Sequence, residues 1–363
     1  MANVSPRTKS PYILMNKDIL AEKIAQFSKF SPQVNTYFSV KANPDRELLR
    51  FFSGLGIGFE IASSNELVRL LRLNVPSEFI ISGNPIKAPE FIRYAYKSGI
   101  KQFVIDSPDE IDKIVRFAPG SGVIVRIVTD NSESSWPLTE KFGLPPDEAA
   151  YLLCKARSSG LIPRGVTFHV GSQCTGFLSW TEAIQRASLV WSIAAKNGIK
   201  LQVLNLGGGF PASHDTGIPG VGDIMKHILR CVDGLFPGNI SLSVEPGRAL
   251  VADAGTLITT VIGTAFRDGK NWMYLDSGVF NGLMESVGGI TYQFHPNSAQ
   301  VSLDMENWIL AGPSCDSFDV IARGITLPRP KVGDRISIYP AGAYTSAYAS
   351  NFNGMKIPSV ALV

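Results

Sequence analysis

The sequence predicts an α/β protein: a (β/α)8 barrel of parallel strands followed by a C-terminal, mostly antiparallel β domain. Between residues 36 and 247, eight short runs rich in Val, Ile and Phe alternate with amphipathic, helix-like segments. Near residue 248 that alternation stops, and strand-like runs then follow one another with almost no helical spacing.

The eight runs are TYFSVKA (36–42), GFEIAS (58–63), EFIISG (78–83), QFVID (102–106), GVIVRIV (122–128), GVTFHVG (165–171), QVLNLGGG (202–209) and SLSVEPG (241–247). Most lack strict apolar–polar alternation, as strands covered on both faces should. DRELLRFFSGLG, SSNELVRLLRLN, APEFIRYAYKSG and SPDEIDKIVRFA lie between them, several opening on a capping Ser or Asp and closing at Gly or Asn. A doubly wound sheet is the competing architecture, but it usually has fewer strands and its own glycine fingerprint. GLGIG at 54–58 is a poor match to that fingerprint because it precedes a strand. LITTVIGTAF, NWMYLD, ISIYPA and PSVALV read as strands of the second domain, and SPYILMN at the N-terminus is expected to join them. The expected division is therefore 16–240 for the barrel, with its last strand reaching about 247, and 1–15 with 248–363 for the β domain.

Composition narrows the function classes. The chain has 363 residues, 45% hydrophobic and 18% charged, the latter below the ~25% usual for soluble proteins. Disorder is excluded, and part of the surface is expected to be hidden in a partner subunit. Thirty-four Lys+Arg against 31 Asp+Glu leave +3, too little for a dedicated nucleic-acid binder. No 20-residue apolar run and no signal-like apolar region appears, and four scattered cysteines and four scattered histidines, His214 among them, show no zinc spacing. A cytoplasmic protein with free thiols, without metal or membrane, is expected.

The chemistry-bearing residues cluster at the ends of the expected strands: Lys41 at the first, His169 at the sixth, Gly207, Gly208 and Gly209 at the seventh, Glu245 at the eighth. In a barrel of this kind, active sites gather on that face. Each residue also has an ordinary reading: a solvated strand-end lysine, a core imidazole, a tight glycine turn, a Glu245–Arg248 ion pair in EPGR. Tyr37, Phe38 and Val40 before Lys41 predict a partly desolvated amine, which is a nucleophile for a carbonyl. An amine, a flat-ring neighbour, a glycine cradle for an anion and a carboxylate for a cationic ring nitrogen together suit pyridoxal 5′-phosphate.

The same residues lie in motifs that resemble a known family. YFSVKAN, FHVGSQ, NLGGGFP, EPGRAL, GPSCDSFD and AGAYTSAYASNFNG occur in family order. The chain resembles the fold type III, alanine-racemase-like pyridoxal-phosphate decarboxylases of ornithine, lysine, arginine and diaminopimelate. It is most similar to the ornithine decarboxylases, especially the bacterial ornithine/lysine type. The resemblance implies that Lys41 is the Schiff-base lysine and that His169 stacks on the cofactor ring. It implies that Ser172, Gly209, Arg248 and Tyr344 hold the phosphate, with Gly207 and Gly208 shaping that loop. Glu245 would keep the pyridine nitrogen protonated. Cys315 and Asp316 would reach the site across a homodimer interface, the first managing carbanion protonation and the second accepting the substrate's distal ammonium, with Phe352 lining the pocket.

Asp316 in CDSFD favours a simple terminal amine, as in ornithine (giving putrescine, a polyamine precursor) or lysine (giving cadaverine). Diaminopimelate decarboxylases typically carry Glu after that Cys. Glu285-Ser286 stands where the best-known eukaryotic pattern has Tyr-Asp, which shifts or removes a second substrate carboxylate and leaves room for a conjugated diamino acid of siderophore or antibiotic synthesis. A racemase would want a second base, and a non-catalytic homologue would have lost cofactor residues that this chain keeps. The polar segment 129–143 is expected to be a lid over the site.

Overall fold

The structure is a computed structural model that describes residues 9–138, 140–212, 217–297 and 304–363. Thr139 of the expected lid, His214 and the first eight residues of the expected β domain lie outside the described residues. The chain divides into two compact units, 24–249 and 1–23 with 250–363.

The first unit is a closed barrel of eight parallel strands wrapped by helices. In chain order the strands are Val34–Ser39, Gly58–Ile61, Ile80–Ser82, Gln102–Ile105, Gly122–Arg126, Ile162–Thr167, Val203–Asn205 and Ser241–Val244. Each pairs in parallel with the next, and the eighth closes on the first with Ser243 opposite Asn35. Local chemistry sets the connections. Asp45 caps helix Arg46–Gly54 by accepting from the Glu47 and Leu48 N–H groups at 2.9 and 3.2 Å, a contact worth about 1 kcal/mol. The helix then buries Leu48, Leu49 and Phe52, and Phe52 meets the edge of Phe38 on the first strand at 4.7 Å. That cap ends the loop carrying Lys41. Helix Ser64–Leu71 begins likewise, with Ser63 Oγ accepting from Glu66 N–H at 3.3 Å and Glu66 accepting from Ala62 N–H at 2.6 Å.

The second unit is a mixed sheet centred on the long strand Gly255–Arg267. That strand pairs antiparallel with Tyr12–Met15, Lys270–Leu275 and Arg335–Tyr339. Strands Gln293–Pro296, Met305–Ala311 and Val320–Pro328 add to the sheet without having been foreseen in the sequence. The sheet is not purely antiparallel: Tyr12–Met15 runs parallel to Ser359–Leu362, and Lys270–Leu275 runs parallel to Met305–Ala311. No helix among the described residues is long and apolar enough to cross a membrane.

The expected lid is only partly a free loop. Ser134–Trp136 within it forms an antiparallel ribbon with Ser172–Cys174, and Asn131 Oδ1 accepts from Leu138 N–H at 2.8 Å. Among the described residues of this segment, Pro137, Leu138, Lys141 and Phe142 line the cavity at the barrel mouth.

Candidate active site

A cavity of about 480 Å³ at the barrel mouth is lined by Lys41, Glu60, Arg126, His169 and Glu245, among others. None of these sits on the last ladder residue of its strand except Arg126. Lys41 lies in the short 3₁₀ turn Val40–Ala42 after the first strand, and Glu245 directly follows the eighth. Such positions place the side chain in the mouth while the preceding ladder fixes the backbone.

Lys41 Nζ meets Glu60 Oε2 at 2.5 Å, and the lysine side chain is 43% exposed against 2% for Glu60. The expected desolvation of this amine is therefore corrected. Phe38 turns outward to pack on Phe52 instead of covering it, and an ion pair rather than an apolar wall holds the ammonium.

Glu245 is 8% exposed and receives a 2.6 Å hydrogen bond from Asn205 Nδ2. Burial, then the neighbouring Glu60 charge, pushes its carboxyl up to about 7; Lys41, the Asn205 bond and Arg126 pull the other way. Burial, reinforced by Arg126 and Lys41, holds His169 well below the ordinary histidine range, so its ring is neutral at pH 7. His169 Nδ1 accepts from the Gly171 N–H at 3.1 Å, which leaves the ring proton on Nε2. Its carbonyl accepts from Thr129 Oγ1 at 2.9 Å, fixing the backbone.

Beside the cavity, three segments meet. Arg248 Nε donates to Ser172 Oγ at 3.3 Å, Cys174 N–H to the Gly209 carbonyl at 2.9 Å, and Glu245 N–H to the Gly207 carbonyl at 2.7 Å. Gly207 and Gly209 have φ of +67° and +106°, and a Cβ on them would lie 2.0 Å from the Phe168 carbonyl and 2.5 Å from the Gly171 carbonyl. A Cβ on Gly208 would stand 3.0 Å from His169 Nε2. The glycines are thus required by the close approach of two loops as well as by any anion they cradle.

The other sequence-predicted residues belong to the second unit. Cys315 and Asp316 occupy an exposed turn after strand Met305–Ala311, and Cys315 Sγ lies 3.3 Å from Asn353 Oδ1. Phe352 is 42% exposed and packs against Phe280 at 4.9 Å. Tyr344 adopts φ +59° and stacks on Tyr348 at 5.5 Å. Glu285 is 4% exposed within the turn Met284–Gly288.

Sequence reasoning missed Glu60, Arg126 and Asn205. All three stood in quoted runs, GFEIAS, GVIVRIV and QVLNLGGG, and the available signal was a polar side chain in the C-terminal half of an otherwise apolar strand. The donor set fits pyridoxal phosphate: an amine, a buried carboxylate, a neutral flat imidazole, and a guanidinium with a hydroxyl beside a glycine loop.

Comparison with known proteins points the same way. Residues 17–252 match the family model described as pyridoxal-dependent decarboxylase, pyridoxal binding domain. The chain is 33% identical to a lysine/ornithine decarboxylase of Selenomonas ruminantium over 98% of its own length and 90% of the relative's. It is 34% identical to antizyme inhibitor 2 of Xenopus laevis, over 93% of this chain and 77% of that one. The crystal structure of an arginine decarboxylase from Paramecium bursaria Chlorella virus matches with a TM-score of 0.92 and 26% identity, covering 99% and 97% of the two chains.

Proposed function

The chain belongs to the pyridoxal-dependent decarboxylases, and on that premise we propose that it decarboxylates a diamino acid with a simple terminal amine. L-Ornithine, giving putrescine and CO2, is the first choice and L-lysine, giving cadaverine, the second. The observation that carries the reading is the convergence of Lys41, His169 and Glu245 on one cavity. The substrate class rests on Asp316 next to Cys315, and similarity to the Selenomonas lysine/ornithine decarboxylase supports it.

Bound in the cavity, the cofactor supplies an electron-withdrawing ring able to accept the electron pair left at the α-carbon when CO2 departs. The chain's own residues do the rest. Lys41 Nζ would hold the cofactor through its aldehyde and give way to the substrate's amine. Glu245 would face the ring nitrogen, where a carboxylate favours the protonated ring and the ring's positive charge offsets the burial that raises this carboxyl. The neutral His169 ring offers a flat face without adding charge. By the family resemblance, Ser172, Gly209, Arg248 and Tyr344 would anchor the phosphate, with Gly207 and Gly208 shaping the loop. Cys315 and Asp316 enter from the second subunit of a homodimer: Cys315 returns a proton to the α-carbon, Asp316 accepts the distal ammonium, and Phe352 and Glu285 line the pocket.

The test is CO2 release by the purified holoenzyme from ornithine, lysine, arginine and diaminopimelate. Ornithine or lysine should lead with kcat/KM about tenfold or more above the others, a difference of about 1.4 kcal/mol. A lead by arginine or diaminopimelate overturns the substrate assignment, and no CO2 from any of them overturns the activity. Asp316→Ala should cost about 3–5 kcal/mol in kcat/KM, as when one partner of a buried ion pair is removed; an unchanged value means that the distal amine is read elsewhere.

A further inference from the structure

Asn353 stands at φ +54°, ψ +19° inside the turn Phe352–Gly354, a left-handed conformation that asparagine tolerates and branched side chains do not. Its Oδ1 accepts from the backbone N–H of Cys315 at 3.2 Å and lies 3.3 Å from Cys315 Sγ. The backbone N–H needs an acceptor, so it decides which way round the amide sits. The atom facing the sulfur is then an oxygen with lone pairs only. A thiol can donate to that oxygen; a thiolate in the same place is repelled by it.

Both sides of this contact are held firmly. The Cys315 turn is clamped by buried Asp319, whose carboxylate accepts from Val279 N–H at 2.7 Å and Ser314 N–H at 3.0 Å. Asp316 Oδ1 accepts from Phe318 N–H at 2.8 Å within the same turn. Phe352, next to Asn353, is packed on Phe280. Within its own turn, the charged groups beside the thiol are Asp316 and Asp319. The Ser277–Asn281 segment and the Phe352–Gly354 turn bring no titratable side chain, and Lys356 just beyond donates to the Lys9 carbonyl.

We propose that Asn353 is the positioning residue of Cys315: its Oδ1 aims the thiol and keeps the proton on sulfur until the substrate carbon takes it. This rests on the reading of Cys315 as the proton donor. In that step the S–H bond breaks, a C–H bond forms at the α-carbon, and the sulfur keeps the electron pair as a thiolate. Facing the lone pairs of Oδ1, that thiolate takes a proton from water before the next turnover.

The test is alkylation of Cys315 by iodoacetamide in the holoenzyme, followed by peptide mass spectrometry at a series of pH values, in wild type, Asn353→Gly and Asn353→Asp. Glycine keeps the left-handed backbone and removes the acceptor; aspartate keeps the acceptor and adds charge. The pH midpoint should fall in Asn353→Gly, with alkylation near neutrality about threefold faster or more, and rise in Asn353→Asp. The kcat of Asn353→Gly should fall while KM stays within about twofold. A merely structural role would change the rate at every pH without moving the midpoint, so equal midpoints in all three proteins overturn the proposal, as does a shift of both variants in one direction. A wild type that releases no CO2 from any amino acid would instead sink the functional reading, while the midpoints still decide whether Asn353 holds the thiol proton.

Discussion

Glu245 and His169 oppose each other in their response to pH. The folded carboxyl titrates at about 7 against 4.5 for an ordinary glutamate, so between those values the folded chain binds more protons than the unfolded one. Its contribution to stability is complete below about 4.5 and lost as pH rises through 7. The folded imidazole titrates well below 6.5, so its contribution is present above 6.5 and lost as pH falls. In the cofactor-free protein, Glu245→Gln should flatten the decline in the urea midpoint between pH 4.5 and 7, whereas His169→Gln should leave it in place. An identical pH profile in wild type and Glu245→Gln would mean that the carboxyl is not desolvated. Of these site residues, the strand-end groups were legible because a lysine, a histidine and a glycine run stand out after apolar strands. Glu60, Arg126 and Asn205 were not, because a polar residue inside a strand run looks the same whether it faces solvent, a neighbour or a cavity. The exposure of Lys41 was misjudged because adjacent aromatic residues in a strand face away from one another.

At the level of elements, the mouth of the barrel is held by loops that brace each other. Gly209→Ala would place a Cβ 2.5 Å from the Gly171 carbonyl at φ +106°. It should cost about 1–3 kcal/mol in denaturant unfolding and weaken cofactor binding as well. On the opposite wall, Lys87 is fully buried and donates to the carbonyls of Asn84, Pro85 and Val104 at 3.1, 2.9 and 2.5 Å while pairing with Glu110 at 3.0 Å. Burial lowers its amine to about 8. Lys87 thereby ties the Gly83–Pro85 stretch lining the cavity to the fourth strand. Glu110→Ala, which strands that buried charge, should lower unfolding free energy by about 3–5 kcal/mol; a loss under about 1 kcal/mol would show the pair to be dispensable. All eight barrel strands were legible because β-branched runs and capped helices agree on one rhythm. Met305–Ala311 and Val320–Pro328 were not, since Glu306-Asn307 and Arg323-Gly324 interrupt their apolar pattern and their registers shift at Trp308/Ile309 and Leu310/Ala311. Nor was the Ser134–Trp136 ribbon, whose pairing is a matter of tertiary contact rather than local propensity.

For the whole molecule, the barrel unit carries Lys41, His169, Glu245 and the Gly207–Gly209 loop, while Cys315, Asp316 and Phe352 lie on exposed turns of the other unit. The reading of a homodimer with sites completed by the second subunit has a direct consequence. Lys41→Ala and Cys315→Ala proteins, each impaired alone, should regain about a quarter of wild-type activity on mixing, since random exchange makes half the dimers mixed and each regains one of two sites. No recovery, with mixed dimers verified, would place each site within one chain. Whether Lys41 carries pyridoxal phosphate is read directly by borohydride reduction followed by peptide mapping. A stable pyridoxyl label is expected on the Lys41 peptide and none in Lys41→Ala. A label on a different lysine, or an undiminished label in the variant, would contradict it.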